Sequence, residues 1–477
     1  MSWRLPGPRA LLWSVLDGHV PVAIPGPAPG PDRRETVMNV AARMLVSLLL
    51  VLLLVPTAFA QNLPKAATPE EVGLSTARLD VLRAALRDHV AQKHIAGAVG
   101  LIVRNGKIAY LDAVGMADIE AGTPMAPDTM FRIASMTKPI TSLAAMMLYE
   151  EGRFLLSDPI SRFLPEFKDP KVAVRSPGGS PFVPNYVLVP AKREITIKDL
   201  LTHTSGLSYQ FWGRPYFADL YKKAGVADGL LQNPGTMADN VKKLAALPLT
   251  NQPGEAYEYG LNTDVLGRLV EVVSGMSLDR FFQRRIFEPL GMSDTYFFLP
   301  EEKISRLAAV YMTADGGGLR RLSEEPVTEN EYTVYTTSLQ YRGARTYFSG
   351  GAGLVSTAGD YARFCQMMLN GGALNGVRLV SRKTVELMRA NQTGDLDMWL
   401  GGPGTGFGLG FAVIRDVGQS AQIGSPGTYY WGGFFSTDFW IDPQEKLVGI
   451  LMTQTRPYGA ANVLRQFRVL ATSAIAD

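Results

Sequence analysis

Period-two and helical stretches divide this chain before any residue chemistry is considered. Residues 97–119 hold two β-rich alternating runs around Asn105-Gly106, a pair that tolerates positive φ at both turn positions, so a β-hairpin is expected there. FRIASMTKPITSL (131–143) then opens a helix to about Glu151, stopped by Gly152. From about 160 to 345 the pattern is helix and loop. RSPGGSPFVPNYVLVP (175–190) reads as a long surface loop, and ITIKDLLTHTSGL (195–207) as a short helix ending at Gly206. VLGRLVEVVSG (265–275) reads as an amphipathic helix capped by Gly275. A helix returns within 349–372, and strand-like runs follow at 407–414, 432–442 and 446–454 before a last helix near 460–473. Strands at both ends with helices between them predict one sheet built from both termini and a helical insertion. The expected division is a leader at 1–60, an α/β domain from 61–160 with 345–477, and a mainly helical domain at 161–344.

The first sixty residues stand apart. Arg43, the apolar run Met44–Val55 and the small-residue site Ala58-Phe59-Ala60 read as a signal peptide. The run is short for a membrane span, which needs about 20 residues, and no cysteine follows it to carry a lipid anchor. Met38 or Met44 is the expected start of translation. The mature chain, about 61–477, is expected to be exported to the periplasm or outside, with no stable membrane anchor after cleavage.

A formal net charge of +3 is close to balanced and argues against a nucleic-acid binder, which would carry a basic stripe. The single cysteine, Cys365, sits in a helical apolar period and is expected to be a buried filler. His89 and His94 are five apart and H-E-x-x-H is absent, so no metal site is expected. G-x-S-x-G is absent, which argues against the common α/β-hydrolase elbow, and GTGFGLG (404–410) lacks the strand–helix context of a nucleotide loop; no cofactor is expected.

Ser135 and Lys138 are different. Positions i and i+3 share a helix face, so Lys138 reaches the Ser135 hydroxyl. An alcohol needs a base to become a nucleophile, and a desolvated lysine can supply one. Pro139 belongs in a first helical turn, which places Ser135 at the helix N-terminus, its N–H free to help hold an oxyanion. Two further segments join it. In PGEAYEYGLNTDVLG (253–267), Tyr259 is a candidate proton shuttle, with Tyr257 two residues away. In YYWGGFFSTDFWIDP (429–443), the paired glycines allow close approach of a ligand, and Phe434 offers a second oxyanion N–H. His203 reads as structural. FWGRPYF (211–217) lines a pocket or forms a surface patch.

S-M-T-K, then Y-G-L, then W-G-G in that order resembles the serine β-lactamase superfamily, and within it the family VIII carboxylesterases above the class C β-lactamases and D-alanyl-D-alanine carboxypeptidases. The likeness covers nearly all of 65–475. It implies an α+β sandwich, an antiparallel sheet flanked by helices plus a mostly helical domain, with the site between them. It also implies Ser135 as nucleophile, Lys138 and Tyr259 as the base system, and oxyanion N–H groups from Ser135 and Phe434. Two departures bear on substrate. Class C enzymes carry Y-x-N where this chain has Leu261, with Asn262 one step later, and K-T-G where it has Trp431-Gly432-Gly433. These four, Leu261 and 431–433, are the expected substrate-binding positions, and they favour a neutral small-molecule ester over a charged lactam or peptide. The expected activity is therefore that of an exported serine esterase. The alternatives are a β-lactamase or peptidase with the same machinery, and a non-catalytic penicillin-binding-like protein.

Overall fold

Asn105 and Gly106 take φ of 51° and 77° and reverse the chain between β1 (Gly97–Arg104) and β2 (Lys107–Asp118), as the hairpin signal predicts. The structure is a computed structural model. It describes residues 63–477 apart from 177–184, 212–213 and 315–316, together with Ala23, Pro25 and Gly26. The expected signal segment lies outside the described residues.

A short β3 (Thr123–Pro124) follows, and the sheet is completed from the far end of the chain by β4 (Thr405–Phe407), β5 (Ala412–Ile414), β6 (Tyr429–Gly433), β7 (Thr437–Asp442) and β8 (Leu447–Met452). The spatial order is β4-β5-β6-β7-β8-β1-β2-β3, with antiparallel pairing throughout. Both termini thus build one sheet. Its central strands are buried on both faces, and the two-residue side-chain period decides which core each residue joins. Val99, Leu101 and Val103 of β1, with Val448, Ile450 and Met452 of β8, enter the larger core. Ala98, Ile102, Leu447 and Leu451 face the other way, onto Leu79, Leu82 and Leu86 of α1 (Thr76–Ala91).

Three further helices matter to the site: α2 (Thr137–Glu150), α3 (Asn262–Ser274) and α4 (Ala358–Leu369). Every residue of α2 from Thr137 to Leu148 is buried, the signature of a helix enclosed on all sides. Gly275 caps α3 in the left-handed conformation, as expected. Cys365 is buried in α4, which packs against β1, β7 and β8. The last helix, α5 (Val463–Thr472), closes the outer layer with α1 through Phe467 and Ala471.

Several expected boundaries move. Lys171–Arg175 pairs antiparallel with Tyr186–Pro190, so the ends of the expected 175–190 loop are strand, as their Val-rich composition allows, while 177–184 lie outside the described residues. Short sheets also occur elsewhere in the region expected to be helix and loop, such as Tyr311–Thr313 with Leu319–Arg321. The helix expected to reach Gly206 covers only Ile197–Leu201, since the Thr202 hydroxyl and the Thr204 N–H take the last-turn carbonyls of Lys198 and Asp199. The run 407–414 is two strands, turned where Gly408 N–H bonds Phe411 O at 2.7 Å and Gly410 takes φ of 102°. Ser436, at φ 63°, likewise splits 432–442 between β6 and β7.

Candidate active site

Ser135 stands in a 3₁₀ turn, Ala134–Met136, that runs directly into α2. The turn is held from both sides. Phe131–Arg132 pairs with Val355–Ser356, and the Tyr361 hydroxyl donates to Met136 O at 2.9 Å. The buried Arg132 guanidinium donates to Ala308 O at 2.8 Å and to Thr337 O at 2.9 Å, and burial lowers its pKa to about 10. Ala134 takes φ of 40°, uncommon for a residue with a side chain, immediately before the serine. Pro139 is the third residue of α2, where its missing N–H costs nothing.

Lys138 is 1% exposed and its Nζ has three partners. It lies 3.2 Å from Ser135 Oγ, 2.9 Å from the Tyr209 hydroxyl and 2.8 Å from Gly351 O. With Tyr209 and Gly351 taking two of its bonding directions, the third direction of Nζ faces the serine. Tyr259 donates from its hydroxyl to Ser135 Oγ at 2.8 Å and accepts from Trp431 Nε1 at 3.3 Å. Lys138 meets Tyr259 at its ring face, 4.7 Å from Nζ to the centroid. The two candidate bases therefore converge on the serine oxygen.

Tyr209 is the partner that sequence reasoning missed. It comes from the turn after the 197–201 helix, 71 positions from Lys138 in the chain, and no spacing connects them. Burial, with Tyr259 and Asp264 nearby, holds its phenol well above the usual value. His203 is buried, its ring 4.9 Å from that of Tyr259 and its Nδ1 2.9 Å from Asn262 Nδ2. Burial and the Lys138 charge hold its pKa well below 6.5, so it is a neutral prop behind Tyr259, as the structural reading expected.

Strand β6 closes the opposite wall. A side chain on Gly433 would fall 2.3 Å from Ile133 O, so only glycine lets the strand end lie against the turn that carries Ser135. Phe434 follows. Its carbonyl accepts from Arg456 Nη1 at 2.9 Å, and the guanidinium carbon lies 3.7 Å from its ring centroid. Ser135, Tyr259, Trp431, Gly432, Gly433 and Phe434 all line one cavity of ≈ 520 Å³, with Phe211, Met398 and Leu400 on its apolar side. Leu261 does not line it. Its side chain is fully buried at the N-cap of α3, where the helix start turns it into the core, so its expected place in substrate binding is corrected. Asn262 is equally buried, donating to Leu207 O at 3.3 Å. Arg456, the only Lys or Arg lining the cavity among the described residues, is held by Glu329 through contacts of 2.7 and 2.8 Å. Among the described residues no group of three or more His, Cys, Asp or Glu is placed to hold a metal, and no helix is long and apolar enough to cross a membrane.

Comparison with known proteins places the fold in a family. The family model described as Beta-lactamase matches residues 82–473. The chain is 35% identical over 388 residues to Protein Rv1367c of Mycobacterium tuberculosis, covering 80% of this chain and 90% of that protein. It is 34% identical over 400 residues to Esterase EstB of Burkholderia gladioli, covering 81% and 92%. Among solved structures, EstCE1, described as a hydrolase with promiscuous acyltransferase activity, superposes with a TM-score of 0.72 at 29% identity, covering 83% of this chain and 98% of that one.

Proposed function

This chain belongs to the β-lactamase family and is a serine hydrolase of that fold, and on that premise we propose that it cleaves neutral carboxylic esters through an acyl-enzyme on Ser135. Ser135 Oγ attacks the ester carbonyl as its proton passes to the base formed by Lys138 and Tyr259. The N–H groups of Ser135 and Phe434 hold the resulting oxyanion. The base returns the proton to the leaving alcohol, and water then attacks the acyl-enzyme by the same route.

The observation that carries the ester reading is the charge state of the cavity wall. Arg456, the only Lys or Arg lining the cavity among the described residues, is engaged by both oxygens of Glu329. Where a lactamase sets a lysine for the substrate carboxylate, this chain sets Trp431, whose ring N–H is committed to Tyr259. Among the described lining residues a carboxylate would meet only the Glu329-paired Arg456, whereas a neutral ester meets aromatic surface. The names of EstB and EstCE1 support the same reading. Export rests on the signal-like segment 44–60 and is tested by sequencing the N-terminus of the secreted chain, which is expected to begin at Gln61.

The test is hydrolysis of p-nitrophenyl acetate, butyrate and octanoate beside nitrocefin, on wild type and Ser135→Ala. Ester turnover lost in the variant, with little nitrocefin cleavage, is expected. Nitrocefin cleaved more efficiently than the esters would overturn the substrate assignment in favour of a lactamase or peptidase.

A further inference from the structure

Asp264 sits in the first turn of α3, 1% exposed and outside the cavity, and the mechanism above does not use it. One carboxylate oxygen, Oδ1, accepts from Ser349 Oγ at 2.7 Å and lies 3.5 Å from Gly351 N. The other, Oδ2, is buried without a hydrogen-bond partner among the described residues. A buried, half-satisfied carboxylate is costly and calls for a reason.

Gly351 supplies the connection. Its carbonyl takes one N–H of Lys138. On its α-carbon, a methyl group would fall 2.6 Å from Asp264 Oδ2 and 3.0 Å from the Tyr209 hydroxyl. The carboxylate and the phenol therefore converge on the same bare face of one glycine. Tyr209 accepts from Lys138, so its own proton is directed elsewhere, and Asp264 Oδ2 is the buried acceptor beside it. Ser349 Oγ also accepts from the Ala352 N–H at 3.0 Å, which ties the carboxylate to the turn that carries Gly351.

We propose that Asp264 is a positioning residue for the base: it fixes the Ser349–Ala352 turn and orients Tyr209, so that both hold Lys138 with its third bonding direction on Ser135. The proposal rests on the assignment of Ser135 and Lys138 made above. Asp264 acts as a countercharge as well as a clamp. The groups that face it are Lys138 from α2, Tyr209 from the 207–211 segment, Tyr347 from the approach to Ser349, and Asp228 from the turn after the 215–224 helix; Tyr259 and His203 stand beyond Tyr209 and Lys138. Burial raises the carboxyl pKa, while Ser349 and Lys138 pull it back towards the ionised form.

The test uses Asp264→Asn, Tyr209→Phe, the double variant and Ser135→Ala, each assayed for kcat/KM on p-nitrophenyl butyrate across pH, with a thermal melt. Removing the negative charge favours the neutral amine, so the acid limb of kcat/KM in Asp264→Asn is expected about one pH unit lower. Plateau kcat is expected to fall roughly 10- to 100-fold with KM little changed, and the double variant to lose little more than the worse single one. A merely structural aspartate would lower the melting temperature and leave the limb in place; that result, or additive losses in the double variant, overturns the proposal. If Asp264→Asn does not fold, Tyr209→Phe decides alone, and a wild-type pH profile and kcat there refute the chain of contacts. Turnover surviving in Ser135→Ala would instead refute the assignment on which the proposal rests.

Discussion

The close seating of β6 against the nucleophile turn gives the sharpest quantitative prediction. A Cβ on Gly433 would lie 2.2 Å from Thr437 Oγ1 and 2.3 Å from Ile133 O, against an ordinary contact of 3.4 Å or more. Thr437 can rotate its hydroxyl away. Ile133 O cannot yield: it belongs to the backbone two residues before Ser135 and accepts the Met136 N–H at 2.9 Å, closing the turn that presents the serine. In Gly433→Ala the strand end must retreat by about 1 Å, carrying Phe434 N–H away from the oxyanion position. Displacement on that scale costs about 10²-fold, and loss of one oxyanion donor about 10²–10³. The expected fall in kcat/KM on p-nitrophenyl butyrate is thus about 10²–10³, equivalent to about 3–4 kcal/mol of transition-state stabilisation. It should appear in kcat, because the oxyanion forms only in the transition state, and overpacking should lower stability by about 1–3 kcal/mol in a denaturant melt. Gly432→Ala makes the comparison. Its Cβ would meet the end of the Tyr458 side chain at 2.4 Å, which can swing, so its loss should be much smaller. Wild-type kcat/KM in Gly433→Ala would refute the reasoning.

Trp431→Phe keeps an aromatic wall but removes the 3.3 Å hydrogen bond to Tyr259; kcat for ester hydrolysis should drop roughly 5-fold, since one such bond contributes about 1 kcal/mol, without nitrocefin cleavage appearing. Leu261→Ala should cost about 2–5 kcal/mol of stability in a denaturant melt and leave the acyl-chain preference unchanged, because the side chain is core rather than pocket. Burial raises Asp228 to about 7. The folded state therefore holds that proton more tightly than the unfolded chain, so this group's contribution makes stability fall as pH rises from about 4 to 7. Asp228→Asn should raise the melting temperature at pH 8 relative to wild type, and by far less at pH 4.

What was legible in the sequence was local. The Asn105-Gly106 turn, the helix that opens at S-x-x-K and the Gly275 cap all follow from neighbouring residues, and the structure has each of them. The strand–helix–strand sequence also foretold a sheet shared by the two ends. What could not be read was long-range. Tyr209 and Gly351 reach Lys138 from two separate segments, Ser349 reaches Asp264 across 85 positions, and Glu329 reaches Arg456 across 127. Leu261 shows the opposite error. It is two residues from Tyr259, yet the start of α3 turns it into the core, so proximity in sequence gave the wrong face. The strand runs at 407–414 and 432–442 were overextended because Gly408, Gly410 and Ser436 make turns within apolar stretches.

The central claim is that Ser135 carries the acyl group. Intact-mass measurement after rapid mixing with p-nitrophenyl butyrate and acid quench, followed by peptide mapping, tests it directly. A single butyryl adduct on the peptide containing Ser135, absent from Ser135→Ala, is the expected result. Turnover with no adduct on that peptide, or an adduct that persists in Ser135→Ala, would contradict it.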